Sequence, residues 1–536
     1  MKKINPPALF VIILGITAII LFCTLTNGHD WGDDFSSYIM QAKSITEFSP
    51  HSFIEINHFS VDPYGSIVPP WGFPVLLAPL YAVFGMNMIA LKLLGVISFL
   101  FFIVLLWFGF RKYHSPVFLL CFVCLFSLNP TMLSFSDQIL TDLPFLALST
   151  AIVLLIGRLV IEKRNLISPV YDYILLGIII ACAFIIRANG LLLLITLAIT
   201  QFITLAIKLS KENYPKGQYS KYFRNFLSEK YFPLKSISIN LLPYVSFFFF
   251  VMFVNAILHR GNALITSVNN ISIDVIKQYL GYYIYSPSYF FIGVPYYHIF
   301  YFISIPIAIA GIWKRYRSDY HAIVYIILTF VLYLIFPSIS GLRYLFPILP
   351  FYYSFVITGL ETFQGGKTNI EREFRKWVCL IPILIVLTYF GVYSAGNAYL
   401  NIINNRETFF GPYTKESQDM FSFIKSNTEK ESTIVFFKPR LMRMMTNRKS
   451  LMITTKQDIT RGDYLCLHFI SQKRDNVPLY EMEELLKLKF IIARSQVSPD
   501  VMADILKQKS ASLIYENSEF KVYKLTNKII SFIKKQ

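Results

Sequence analysis

Apolar runs about long enough to cross a bilayer recur from one end of this chain to the other, and nothing else in the sequence constrains its fold more. The first occupies residues 8–27. Others follow at about 86–110, 115–134, 143–160, 171–187, 190–208, 237–258, 298–313, 321–337, 344–361 and 377–395. A hydrocarbon core takes roughly 20 helical residues to span. The expectation is a polytopic α-helical membrane protein of about eleven spanning helices. Composition agrees: 55% of the 536 residues are hydrophobic and 15% are charged, against about a quarter charged in an ordinary soluble domain.

The charges predict which side each loop occupies. Lys2 and Lys3 precede the first run, which is longer than the apolar core of a secretory signal and ends in Thr26-Asn27-Gly28-His29-Asp30. It is therefore expected to be an uncleaved helix with a cytoplasmic N-terminus. Alternating the later runs places inside Arg111-Lys112, Arg158 with Lys163-Arg164, the segment from Lys208 to Lys235, Lys314-Arg315-Tyr316-Arg317, and the segment from Lys367 to Lys376. Each of these is basic. The first outer segment carries Asp30, Asp33, Asp34, Glu47, Glu55 and Asp62 against Lys43 alone. That is the asymmetry of the positive-inside rule, and it accounts for a net charge of +18 without invoking nucleic acid. An odd number of spans leaves the C-terminal region outside.

Within the outer segment, Phe35, Tyr38, Ile39, Ala42 and Ile45 recur at helical spacing, so Asp33 to Glu47 reads as a short amphipathic helix at the interface. Pro69-Pro70-Trp71-Gly72-Phe73-Pro74 breaks the chain, and Val75 to Phe84 reads as a second interfacial helix. From about Ala398 polar residues return. Strands are predicted at Ser432–Phe437, Tyr464–Phe469 and Leu488–Ile492, a hairpin at 512–515 and 520–525, and helices at Lys415–Ser426, Leu479–Leu488 and Asp500–Lys509. The expected division is a membrane domain over 1–397, with outer loop 28–85, and an extracytoplasmic α/β domain over 398–536. The six cysteines show no disulfide or metal-ligand spacing. Cys121 and Cys124 form a C-x-x-C inside an apolar run, which reads as buried, inert thiols.

Charged features gather at the outer ends of the spans. They are the adjacent Asp33 and Asp34, Asp137 and Asp142 in the turn before the fourth span, Arg187 after the fifth, and Arg343 before the tenth. Two neighbouring acids repel and are costly to desolvate, so the pair suits a wet, polar mouth. A carboxylate there can take a proton from an attacking hydroxyl. An arginine fork can hold a phosphate as its negative charge grows. Plainer roles compete: Asp33-Asp34 as a solvated helix start, Asp142 as an N-cap, Asp137 as a turn residue, and the arginines snorkelling to head groups. His51, His58, His259 and His298 lie in outer segments with no diagnostic metal spacing.

The order and sidedness of these features resemble the GT-C superfamily of polytopic glycosyltransferases, in the branch of protein O-mannosyltransferases and bacterial lipid A aminoarabinose transferases (glycosyltransferase family 39-like). The acid pair opening Asp33-Asp34-Phe35-Ser36-Ser37-Tyr38 is similar to that family's first outer-loop motif, although its second acid is usually glutamate. The proline-rich break at 69–74, Asp142 with Pro144, Arg187 with Gly190, and Arg343-Tyr344 with Pro347-Ile348-Leu349-Pro350 resemble later family elements. Phe437-Lys438-Pro439-Arg440 with Asn447-Arg448-Lys449 resembles the outer C-terminal domain of bacterial members. The resemblance implies sugar transfer from a polyprenyl-phosphate donor to a glycolipid, glycan or protein acceptor at the outer face of the bacterial cytoplasmic membrane, with inversion. It implies Asp33 as general base beside Asp34, Asp34 and Asp142 orienting acceptor or metal, and Arg187 and Arg343 gripping the lipid phosphate. A divalent metal is left open. A lipid-linked oligosaccharide ligase or polymerase shares the layout. A transporter would need its ionisable residues near the bilayer midplane, and here they sit at the helix ends.

Overall fold

The computed structural model of the protein describes residues 5–49, 69–211, 234–258, 273–335, 341–364, 368–408, 410–452, 461–468 and 511–525. Most of the described chain is helical. Helix α1 (Pro6–Thr24) is followed by α2 (Asp34–Thr46) and α3 (Gly72–Phe84), both where interfacial helices are expected. The bundle continues with α4 (Met88–Phe110), α5 (Pro116–Ser127), α6 (Pro130–Ser136), α7 (Asp142–Ile156), α8 (Pro169–Ile186), α9 (Leu191–Lys211) and α10 (Leu234–Leu258). It is completed by α11 (Ile273–Tyr285), α12 (Tyr297–Arg315), α13 (Tyr320–Ile335), α14 (Leu349–Phe363) and α15 (Asn369–Ile403).

Among the described residues, eight helices are long and apolar enough to cross a membrane, or nine if a bent pair counts as one. The chain is a multi-pass membrane protein. Each expected run coincides with helix over most of its described residues, and the count differs at three of them. The run at 115–134 breaks into α5 and α6, bent by 51°. Pro130 disfavours a helical Asn129 before it, and the Asn129 side chain instead accepts the Met132 N–H to start the new helix. The run at 344–361 opens as a 3₁₀ turn over Leu342–Ile348 before α14 begins, because Pro347 and Pro350 remove amide donors. Helix α13 has 16 residues, short for a span.

Small residues set the closest packing. A Cβ placed on Gly311 of α12 would collide with the Phe355 carbonyl oxygen, and one on Gly359 of α14 with the Ile307 carbonyl oxygen. The two backbones therefore touch, which membrane helices achieve through glycine. Elsewhere aromatic rings fill the interior: Phe290 stacks on Tyr353 at 4.5 Å, and Phe126 meets both rings edge-on.

Polar contacts separate into two ends of the bundle. At one end Lys112 pairs with Glu162, His114 Nδ1 lies 3.1 Å from Glu361, and Arg315 pairs with Asp319 while donating to Ser354 and Thr358 at 2.9 Å. These loops are the ones expected inside. Helices of 18 to 23 residues, about 27–35 Å at 1.5 Å per residue, separate them from the end that carries Asp33, Asp34, Asp142, Arg187 and Arg343.

Beyond the bundle lie α16 (Lys415–Asn427), α17 (Pro439–Thr446) and a five-stranded sheet in the order β2-β1-β3-β5-β4. Strand β1 (Thr433–Val435) runs parallel to β2 (Lys449–Leu451) and to β3 (Tyr464–His468), while β5 (Phe520–Leu525) is antiparallel to β3 and to β4 (Ala511–Glu516). The expected strands at 432–437 and 464–469, the hairpin and the helix at 415–426 all have counterparts. Strand β2 and helix α17 here, and α11 in the bundle, are additions that the sequence reading lacked. The strand expected at Leu488–Ile492 and the helices at Leu479–Leu488 and Asp500–Lys509 lie outside the described residues. Helix α15 itself runs on to Ile403, past the boundary expected at 397.

Candidate active site

The approach to α2 is fixed before the acid pair is reached. Asp30 Oδ1 accepts the Gly32 N–H at 2.9 Å, His29 stacks on Phe35 at 3.8 Å, and the Ile139 N–H donates to His29 Nε2 at 3.1 Å. Trp31, only 4% exposed, inserts into the C-terminal unit between Phe437, His468 and Phe520, with ring centroids 5.1–6.0 Å away. Two residues later Asp33 stands at the N-cap of α2, yet its carboxylate makes no bond to that helix. It reaches across instead to accept the Leu441 N–H of α17 at 3.2 Å. Arg440 Nε lies 3.8 Å from Asp33 Oδ2, and its Nη1 lies 3.6 Å from Asp34 Oδ1. Arg343 Nη2 approaches Asp34 Oδ2 from the other side at 3.8 Å.

The Asp33 and Asp34 side chains keep 20% and 45% of their exposure, so the pair borders open space rather than filling a core. Burial pushes the Asp33 carboxyl above its ordinary value. The Arg440 and Lys438 charges and the Leu441 N–H pull it down again, while Asp34 adds to the rise.

Asp142 is the first residue of α7 and Arg187 follows the last residue of α8, so the ends of two helices bring them together. Arg187 Nη1 donates to Asp142 Oδ1 at 2.8 Å, with the side chains 12% and 2% exposed. Asp142 is thus no N-cap; Thr141 holds that position, without a side-chain bond. Arg187 does not snorkel: it lies over the Tyr344 ring at 4.4 Å and faces Phe145 at 5.9 Å. Arg343 rests against the same Tyr344 ring at 5.2 Å. Gly341, at φ +74°, turns the chain into the 3₁₀ segment that presents Arg343 and Tyr344. One aromatic ring therefore contacts two guanidinium groups, with Asp34 and Asp142 within electrostatic reach of Arg343. An anion with several oxygens is the ligand such an arrangement suits.

Two contributors escaped the sequence reading. Lys92, fully buried in α4, donates to Asp137 at 2.6 Å and to the Thr26 hydroxyl and carbonyl at 2.9 Å, while Thr26 donates to Asp137 at 2.7 Å. Asp137 is therefore an ion-pair partner that ties the end of α1 to α4 and the end of α6. The available signal was a lone cation in Met88-Ile89-Ala90-Leu91-Lys92-Leu93-Leu94, expensive in a membrane unless paired. The other is Arg440, which carried a resemblance but no role.

Among the described residues no group of three or more His, Cys, Asp and Glu side chains is placed to hold a metal ion, and the carboxylates of Asp34 and Asp142 face guanidinium groups. His298 packs on Tyr297 at 5.0 Å; His51, His58 and His259 lie outside the described residues.

No protein-family model matches the sequence, and no curated protein matches it. Solved structures do match in fold. ArnT from Cupriavidus metallidurans in the apo state superposes with a TM-score of 0.54 at 12% identity, over 98% of this chain and 99% of that one. The same protein bound to undecaprenyl phosphate gives 0.53 at 12%, over 96% and 97%. The archaeal oligosaccharyltransferase AglB from Archaeoglobus fulgidus, in complex with an inhibitory peptide and a dolichol-phosphate, gives 0.54 at 10%, over 85% and 69%. The chain shares the fold of these structures, the GT-C-like fold expected from its sequence.

Proposed function

We propose that the protein is an integral membrane glycosyltransferase that moves a sugar from a polyprenyl-phosphate donor to an acceptor hydroxyl on the outer face of the bacterial cytoplasmic membrane. The single observation that carries this reading is the meeting of an acid pair and two membrane-edge arginines at one end of the bundle, Arg343 to Asp34 at 3.8 Å and Arg187 to Asp142 at 2.8 Å. The fold shared with ArnT and AglB supports it, and so does the basic character of the loops at the opposite end.

In this reading Asp33 takes the proton of the acceptor hydroxyl. The freed oxygen attacks the anomeric carbon, forming the new glycosidic bond with inversion, while the bond from that carbon to the phosphate oxygen breaks. The electron pair leaves with the polyprenyl phosphate, whose negative charge Arg187 and Arg343 hold. Asp34 and Asp142 orient the acceptor and the arginines. The acceptor is a glycolipid, glycan or protein, and the C-terminal unit lies on the extracytoplasmic side above the site. A phosphate ester leaves readily, so positioning plus one base suffices.

The test is mass spectrometry of surface glycolipids, glycans and glycoproteins from cells with and without the protein. Loss of a single sugar residue from one acceptor class is expected. Loss of whole chains would assign a ligase or polymerase instead, and an unchanged profile would overturn the reading.

A further inference from the structure

The geometry points to a positioning role for Arg440: the C-terminal unit docks this guanidinium and the first turn of α17 onto Asp33, so that the base is assembled from both parts of the chain. The inference rests on the reading of Asp33 as the base. Three contacts carry it. Arg440 approaches both acids, at 3.8 Å and 3.6 Å, with its own side chain only 11% exposed. The Leu441 N–H donates to Asp33 at 3.2 Å, which aims the carboxylate away from its own helix. The insertion of Trp31 against Phe437 fixes both segments just before the residues in question, two residues ahead of Asp33 and three ahead of Arg440.

At 3.6–3.8 Å Arg440 acts as a neighbouring charge rather than a closed fork, which leaves the carboxylate able to accept a proton. The charged groups facing Asp33 are Asp34 from α2, with Arg343 behind it, and Arg440 and Lys438 from the α17 side. His29 and Asp30 pair with each other at 2.7 Å, and α3, packed along α2, carries no charged residue. Burial raises the Asp33 carboxyl and Arg440 lowers it. Without the Arg440 charge the carboxyl therefore stays protonated to higher pH, and less of the base form exists at neutral pH.

Asp33 in the full-length protein in detergent micelles can be labelled with a water-soluble carbodiimide and glycine ethyl ester, which modify protonated carboxyls, and read by peptide mass spectrometry across pH. In Arg440→Gln the midpoint of Asp33 labelling should move to higher pH, and Arg440→Lys should return it toward wild type. In cells, Arg440→Gln should lower the protein-dependent surface sugar signal at neutral external pH and regain it as the medium is made more alkaline. An unshifted or lowered labelling midpoint in a folded Arg440→Gln protein overturns the inference whatever the function. A raised midpoint together with full sugar signal in Asp33→Asn instead removes the reading of Asp33 as the base.

Discussion

Single side chains at this site are understood through their partners. Lys92 has no exposed surface and Asp137 retains 19%, so removing one charge strands the other in a nearly dry place. Breaking a buried pair in this way costs about 3–5 kcal/mol, whereas replacing both members with apolar groups is often neutral. Lys92→Met should lower thermal stability in detergent by that order, and Lys92→Met with Asp137→Leu should recover most of it; equal melting of the single variant and wild type would contradict the pairing. Residue by residue, Asp33, Asp34, Asp142, Arg187 and Arg343 stand out in the sequence because charges at the ends of apolar runs are conspicuous. The sequence did not disclose how they pair. Asp142 competes with an N-cap role until the ends of α7 and α8 are seen side by side. The Asp33–Leu441 contact joins positions 408 apart in the chain, and no local pattern encodes it.

At the scale of elements, run length and hydropathy located nearly every helix, because the bilayer sets one length for all of them. The departures are local chemistry that a hydropathy window averages away. Asn129-Pro130 divides one span and Pro347 with Pro350 delays another. Strand β2, at three residues, and helix α17, at eight, are too short to carry a periodic signal. Close helix packing was also invisible, since a glycine in an apolar run looks the same whether or not another backbone touches it. Gly359 and Gly391 separate the two cases: a Cβ at Gly359 meets the Ile307 backbone, while one at Gly391 meets nothing within 4 Å. Gly359→Ala should force α12 and α14 apart and destabilise by about 1–3 kcal/mol. Gly391→Ala should be neutral or slightly stabilising, as alanine is the better helix former. Identical melting shifts for the two variants would remove the packing argument.

For the molecule as a whole, the membrane bundle and the C-terminal unit meet where the chemistry is placed. Trp31 is an apolar link between them, and truncating a buried tryptophan costs about 3–5 kcal/mol. Trp31→Ala should therefore speed hydrogen exchange in β3 and β5 while leaving α4 and α7 protected; exchange unchanged in both strands would show that other contacts hold the unit. The central claim is that Asp33 deprotonates the acceptor at this junction. It is tested most directly by the rate of sugar transfer from a polyprenyl-phosphate donor, measured with full-length protein in proteoliposomes and with the sugar and acceptor identified from the surface glycan comparison. Asp33→Asn should transfer roughly 10²–10⁴-fold more slowly than wild type with its fold intact, and transfer at the wild-type rate would contradict the account.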